Sequence, residues 1–176
     1  MAENFQFLAR VGEGAFASVY KVMRKEDSRL YAFKKVKSTG MREKDLANCL
    51  NEVRILASVK SPFVIGYKEA FYEANLKSFC LVTEFAEGGD LAAKIARAKK
   101  NQEPIEEKEI WKIALQLLHG VKALHSLNVF HRDIKPANIL LAKDGEVAKL
   151  ADMNVSIISK TGLARTQTGT PYYASP

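Results

Sequence analysis

The sequence predicts an α+β fold of two lobes, a β-rich lobe followed by a helical one. Three observations carry this. Short apolar runs of strand type fill the first third, two later stretches place apolar residues at three- and four-residue steps, and a Gly88-Gly89 pair breaks the pattern between those two stretches. Strands are expected over 5–11, 18–24 and 30–36, joined by a glycine-bearing turn and by the polar Lys25-Glu26-Asp27-Ser28 link, as in an antiparallel meander. From 43 to 60 the period changes: Leu46, Leu50, Val53, Leu56 and Val59 make one stripe on a helix that Pro62 ends. Extended runs at 63–71 and 79–85 follow. Glu87-Gly88-Gly89-Asp90 then marks the boundary between domains 1–86 and 87–176 and is placed to start another helix, whose outer face and end carry Lys94, Arg97, Lys99 and Lys100. A long helix is expected over 106–127, entered at Pro104, with Ile110, Ala114, Leu117, Val121 and Leu124 on one side. Two short strands, 138–142 and 147–151, fold about Asp144-Gly145. Residues 155–176, rich in Thr, Ser and Gly, read as a loop.

Composition narrows the function. Of 176 residues, 47% are hydrophobic and 27% charged, which excludes collagen-like, low-complexity and wholly disordered chains. Ile113 to Val121, the longest apolar run free of Asp, Glu, Lys and Arg, is about half the length a membrane-spanning helix needs. Glu3 and Arg10 flank a short mixed stretch unlike a secretory signal, so an intracellular, cytoplasmic protein is expected. Cys49 and Cys80 lie far apart without metal-ligand spacing and read as reduced packing residues. The charge of +7 is spread along the chain, and its densest stretch has no interleaved aromatic to stack on bases, so nucleic acid is not expected as a partner.

The chemistry concentrates in three places. Gly12-Glu13-Gly14-Ala15-Phe16-Ala17-Ser18-Val19 lies between two predicted strands, where glycines let backbone amides close over a phosphate chain. A dinucleotide fold would need a helix next, and no Gly-Lys pair exists for a P-loop. Lys34 sits in a strand, and Glu52 lies on the helix that follows. The third stretch is His131-Arg132-Asp133-Ile134-Lys135-Pro136-Ala137-Asn138, followed by Asp152-Met153-Asn154. Folding about Asp144-Gly145 brings the start of one hairpin arm beside the end of the other, so Asn138 and Asp152 become neighbours. An amide oxygen and a carboxylate are hard ligands suited to Mg²⁺. Asp133 and Lys135, just before that arm, supply a base for a hydroxyl and a cation for a transferred phosphoryl group.

Together these motifs resemble a eukaryotic protein kinase, over almost the whole chain. Glu87-Gly88-Gly89-Asp90-Leu91, residues 131–138 and Gly169-Thr170-Pro171-Tyr172-Tyr173 look most like the NIMA-related serine/threonine kinases. The resemblance implies ATP and Mg²⁺ as cofactors, transfer of the γ-phosphate to Ser or Thr of protein substrates, and a nucleotide lying between the lobes near 84–89. Gly12 and Gly14 would cover the phosphates, with Val11 and Val19 against the adenine and Ala32 capping it. Lys34 would hold the α- and β-phosphates and pair with Glu52. Thr83 would take the gatekeeper position and Glu84 to Ala86 the hinge whose backbone bonds adenine. Asp133 would be the base, Lys135 would lie beside the γ-phosphate, and Asn138 and Asp152 would hold Mg²⁺. Lys135 together with Thr170 is similar to the serine/threonine class, and Thr170 is also a regulatory candidate. Thr166 is where the family often carries an activating phosphate, supplied by another kinase or by self-phosphorylation, with Arg132 to bind it; Thr168, Thr161, Ser159 and Ser156 are rivals.

Three features depart from the family pattern. Ala17 stands for the third loop glycine, Met153 for the usual aromatic after the metal Asp, and Asn154 for Gly. The chain also stops at Ser175-Pro176, before the Glu that usually follows, so it reads as truncated, with parts of Leu117, Leu118, Val121 and Leu124 uncovered and the isolated polypeptide poorly stable and poorly active. These departures keep a second reading open, a non-catalytic nucleotide-binding scaffold.

Overall fold

The computed structural model describes residues 2–14, 17–39, 43–153, 157–158 and 170–173. Two compact units form: Met1–Val53 with Gly66–Phe85, and Arg54–Ile65 with Ala86–Pro176. The expected boundary at 86/87 thus falls one residue earlier, and residues 54–65 join the second unit.

The first unit is built on an antiparallel sheet of β1 (Phe5–Glu13), β2 (Ala17–Arg24), β3 (Leu30–Lys37), β4 (Tyr67–Glu73) and β5 (Ser78–Glu84), in the order β1-β2-β3-β5-β4. The first three strands form the expected meander, while β5 slots in beside β3. One face buries a cluster of Phe5, Val22, Tyr31, Phe33, Phe71, Cys80 and Val82. Phe33 sits at its centre, in edge-to-face contact with Phe5, Phe7 and Phe71 at 5.4, 5.1 and 6.0 Å. Because side chains alternate along a strand, the opposite face is set at the same time. Val19 pairs with Lys34 and Lys34 with Leu81; Lys21 pairs with Ala32 and Ala32 with Thr83. The aromatic core therefore fixes which residues look the other way. Both cysteines are buried and outside any disulfide, as expected, and burial pushes the Cys80 thiol up to about 11, which leaves it protonated at neutral pH.

The first unit also contains most of α1 (Glu43–Ser58), within the predicted range. The extended run expected from residue 63 starts as a strand only at Tyr67. Residues 63–65 bond elsewhere: the Leu150 amide donates to the Phe63 carbonyl at 2.9 Å, and the Ile65 amide to the Leu150 carbonyl at 2.8 Å.

The second unit holds α2 (Leu91–Asn101), α3 (Glu107–His125), β6 (Val129–Phe130), and the hairpin β7 (Ile139–Leu141) and β8 (Ala148–Leu150). Asp90 caps α2 by accepting a hydrogen bond from the Ala93 amide at 2.8 Å. The hairpin is fastened to α3 by Gln116, which donates to the Glu146 carbonyl at 2.8 Å and accepts from the Ala148 amide at 2.7 Å. Ile113, Ile139, Leu141 and Ala148 pack there, with Leu91 and Leu117 against them. This packing rotates the buried side of α3 from the predicted one. Ile113, Gly120 and Leu124 are its buried residues, while Ile110 is 53% exposed. Trp111, Leu115 and Leu118 lie on the exposed side at 61, 55 and 64%; of the four residues expected to be uncovered, Leu118 is the exposed one and Leu124 is fully buried. A two-residue strand, β9 (Ile157–Ile158), pairs with β6 inside the region read as loop, because backbone partners rather than side-chain pattern select it. Among the described residues no helix is long and apolar enough to cross a membrane.

Two glycines are required sterically. A Cβ on Gly88 would lie 2.3 Å from the Ala142 carbonyl oxygen, and one on Gly120 would lie 2.7 Å from that of Phe63. Both obstacles are backbone and cannot swing aside. Gly120→Ala is expected to lower stability by about 1–3 kcal/mol, against less than about 0.5 kcal/mol for exposed Lys122→Ala on the same helix. Urea unfolding of the two variants checks this, and equal midpoints would contradict the packing described.

Candidate active site

Residues 131–138 make the site of the second unit. After β6 the chain has no regular structure until a 3₁₀ turn at Pro136–Asn138, and Arg132 takes a left-handed conformation, φ 65°. Such a conformation is unfavourable for a long side chain and persists only when neighbouring contacts impose it. His131, the residue before it, is held on both sides. Its buried ring bonds the Ala151 carbonyl through Nε2 at 3.0 Å, which makes Nε2 the protonated nitrogen, and its Nδ1 accepts the Asp133 amide at 3.4 Å. One ring thereby ties the segment before Asp133 to the segment before Asp152.

The Asp133 carboxylate is the centre of the site. Its Oδ2 accepts from Lys135 Nζ at 2.8 Å and from Asn138 Nδ2 at 2.9 Å, and its Oδ1 accepts from the Thr170 hydroxyl at 2.6 Å. Lys135 also donates to the Thr170 oxygen at 2.8 Å. Burial alone would raise the Asp133 carboxyl, but the bonds from Lys135, Thr170 and Asn138 outweigh it and hold the group below the usual carboxylate range. Asp133 is thus an ionised, fixed acceptor. Thr170, singled out in the sequence for its class and as a regulatory candidate, is brought to this carboxylate.

Asn138 is buried, and its amide nitrogen donates to both the Oδ2 and the backbone carbonyl of Asp133, each at 2.9 Å. The nitrogen being turned to Asp133, the oxygen is the atom turned away. The Ala151 amide donates to the Asn138 carbonyl at 3.0 Å and Leu150 pairs with Ile139, which sets Asp152 beside the Asn138 end of the hairpin as the turn predicted. Asp152 is exposed, with φ 63°. Two hard oxygen donors fit Mg²⁺, which takes one or two protein ligands and completes its shell with water and substrate phosphates. Among the described residues no group of three His, Cys, Asp or Glu is placed to hold a metal unaided.

In the first unit, Lys34 Nζ lies 3.0 and 2.8 Å from the two oxygens of Glu52, so the predicted pair is formed. Glu52 is 4% exposed. A buried carboxylate of this kind needs its partner, since removing one member leaves an uncompensated charge. Val19, Ala32 and Thr83 share the Lys34 face through the register given above. Gly12 pairs with Val19, and the Gly14 amide donates to the Ala17 carbonyl at 2.7 Å, closing the glycine turn. Val11 is exposed at the end of β1. Glu84 has a contact the sequence did not suggest: its carboxylate accepts from the Gly66 amide at 2.6 Å, and its own amide donates to the Gly66 carbonyl at 2.8 Å.

The second unit thus holds an ionised Asp with its Lys, and an Asn and an Asp at a hairpin end; the first holds a Lys–Glu pair and glycines between two strands. The family model described as the protein kinase domain matches residues 5–176. The chain belongs to the protein kinase family. It is 38% identical over 176 residues to serine/threonine-protein kinase Nek1 of Mus musculus, covering 99% of this chain and 14% of that protein. It is 32% identical over 178 residues to probable serine/threonine-protein kinase nek2 of Dictyostelium discoideum, covering 99% and 42%. It is 34% identical over 176 residues to serine/threonine-protein kinase TIO of Arabidopsis thaliana, covering 99% and 13%. The NIMA-related resemblance thus stands, and the kinase chain spans less than half the length of each of these relatives.

Two of the departures from the kinase pattern can be placed. Met153 is fully buried, as a flexible thioether can be where it fills an apolar gap. Ala17 begins β2, and its carbonyl accepts the Gly14 amide. Asn154 lies outside the described residues, as do Thr166 and its rivals Thr168, Thr161, Ser159 and Ser156. Burial lowers the Arg132 guanidinium from its usual value.

Burial, only partly offset by the bond to Ala151 and the charges of Asp152 and Asp133, pulls the His131 imidazole below its usual value. A folded-state value below the unfolded one means that the unfolded chain binds the extra proton first. His131 therefore contributes stability that is complete above about pH 6.5 and is lost as pH falls through that value toward the folded one. Acidification from pH 7 to 5.5 should lower the unfolding free energy with a slope up to about 1.4 kcal/mol per pH unit, and His131→Asn should flatten it. Urea titrations across that window check this, and an unchanged slope in the variant would refute it.

Proposed function

We propose that the kinase chain transfers the γ-phosphoryl group of ATP to Ser or Thr hydroxyls of proteins. The observation that carries this reading is the Asp133 carboxylate, ionised and held by Lys135, Thr170 and Asn138 at one spot. The acceptor hydroxyl docks at Asp133. Among the described residues Oδ1 accepts from Thr170 alone and Oδ2 from both Lys135 and Asn138, so Oδ1 is the oxygen that receives the hydroxyl proton. As the new bond from the hydroxyl oxygen to phosphorus forms, the bond from phosphorus to the leaving diphosphate breaks and ADP departs. A carboxylate held below its usual range is a weak base, so it orients the hydroxyl first and takes the proton late, when that proton has become acidic. Lys135, bonded to both Asp133 and Thr170, places a positive charge next to the transferred group. Lys34, held by Glu52, binds the α- and β-phosphates. Asn138 and Asp152 would hold Mg²⁺, which supplies positive charge to the donor phosphates.

The same reading makes Arg132 the receiver of a phosphate on Thr166, placed there by another kinase or by a second copy of this one. A reducing, cytoplasmic setting suits two cysteines that form no disulfide.

Asp133→Asn is expected to reduce Mg²⁺-dependent transfer of labelled γ-phosphate to a generic Ser/Thr protein by about 10²- to 10⁴-fold, with ATP binding retained. Lys34→Met should weaken ATP binding as well as turnover. Transfer unchanged in Asp133→Asn would overturn the mechanism, while silence of both proteins with ATP still bound would favour a nucleotide-binding scaffold.

A further inference from the structure

Lys21 has no part in the machinery described so far, yet its position is unusual. The sheet order separates β2 from β5 by β3, so no backbone hydrogen bond joins them. A side chain does. Lys21 Nζ lies 4.9 Å from the ring centroid of Phe85, the residue just after β5. The register explains the reach: Lys21 is opposite Ala32, and Ala32 is opposite Thr83, so the three form one row across the sheet on the face that carries Lys34. Ala32 is small enough to let the lysine stem cross above it. Phe85 is half-buried and lies between Glu84 and Ala86. The Glu84 amide is already engaged by the Gly66 carbonyl, so Phe85 begins the stretch that the β4–β5 ladder no longer restrains.

We propose that Lys21 is a positioning residue for the base of the nucleotide. Its ammonium holds the Phe85 ring from across the sheet and thereby fixes the backbone of Glu84 to Ala86 against which a purine is bonded. This rests on the reading of residues 84–86 as the base-binding segment. A cation over an aromatic face at a partly exposed site contributes about 0.5–1 kcal/mol, which sets the expected effect at about 2- to 5-fold in affinity. Because Lys21 acts through Phe85 rather than on the phosphates, its loss should affect ATP and leave a ligand without a base untouched.

The test is calorimetric titration of the full 176-residue chain with Mg²⁺-ATP and, separately, with Mg²⁺-tripolyphosphate. Lys21→Met should raise the ATP Kd by about 2- to 5-fold with the tripolyphosphate Kd unchanged. Lys21→Arg, which keeps the cation, should restore ATP binding. Phe85→Leu should match Lys21→Met, and the double variant should be no weaker than either single one. An unchanged ATP Kd in Lys21→Met, or equal losses for ATP and tripolyphosphate, would overturn the proposal, the second because it would make Lys21 a direct phosphate ligand. Failure of wild-type chain to bind ATP would sink the nucleotide reading beneath it. ATP binding that responds to Lys21 without Asp133-dependent transfer would leave Lys21 in its role and remove the kinase reading alone.

Discussion

The Asp133 carboxylate is the constraint on which the second unit depends. Burial disfavours its charge, and three donors restore it: Lys135 two residues away, Asn138 five residues away, and Thr170 from 37 residues further along the chain. Each donor has its own support. Asn138 is held by the 3₁₀ turn and by the hairpin ladder, whose second arm is in turn bonded to α3 through Gln116. His131 links the loop to the backbone just before Asp152. Chemistry and stability are therefore coupled: the bonds that keep Asp133 ionised also order the loop that carries it.

The first unit solves a different problem with the same economy. A cluster of aromatic rings on one face of the sheet fixes strand register, and register alone decides that Val19, Ala32, Lys34 and Thr83 share the opposite face. A slip of one residue in β3 would send Lys34 into the aromatic cluster and Phe33 to the face now shared with Glu52. Burial of Glu52 reinforces the register, because the charge of Lys34 reaches that carboxylate only in this register.

Much of this was legible in the amino-acid order. The strand meander follows from short alternating runs and their turns, α1 from its apolar stripe, and the adjacency of Asn138 and Asp152 from one Asp-Gly turn with equal arms. Other features were not legible for a physical reason. Helix α3 has apolar residues on more than one side, so periodicity named Ile110 where packing against β7 and β8 chose Ile113 and Gly120. Residues 63–65 look like the start of a strand, but their carbonyls and amides are taken by Leu150.

The residue types of the site, their local spacing and the order of the elements are readable along the chain, because caps, turns and periodicity act over a few residues. Contacts between distant segments are not. Thr170 on Asp133, the His131 ring on the Ala151 carbonyl, the Glu84 carboxylate on Gly66 and Lys21 over Phe85 join residues from 18 to 64 positions apart, apart from no local pattern that could announce them. Their partners are chosen by which backbone groups the fold leaves unsatisfied and which faces it turns together, and neither quantity exists until the chain has closed on itself.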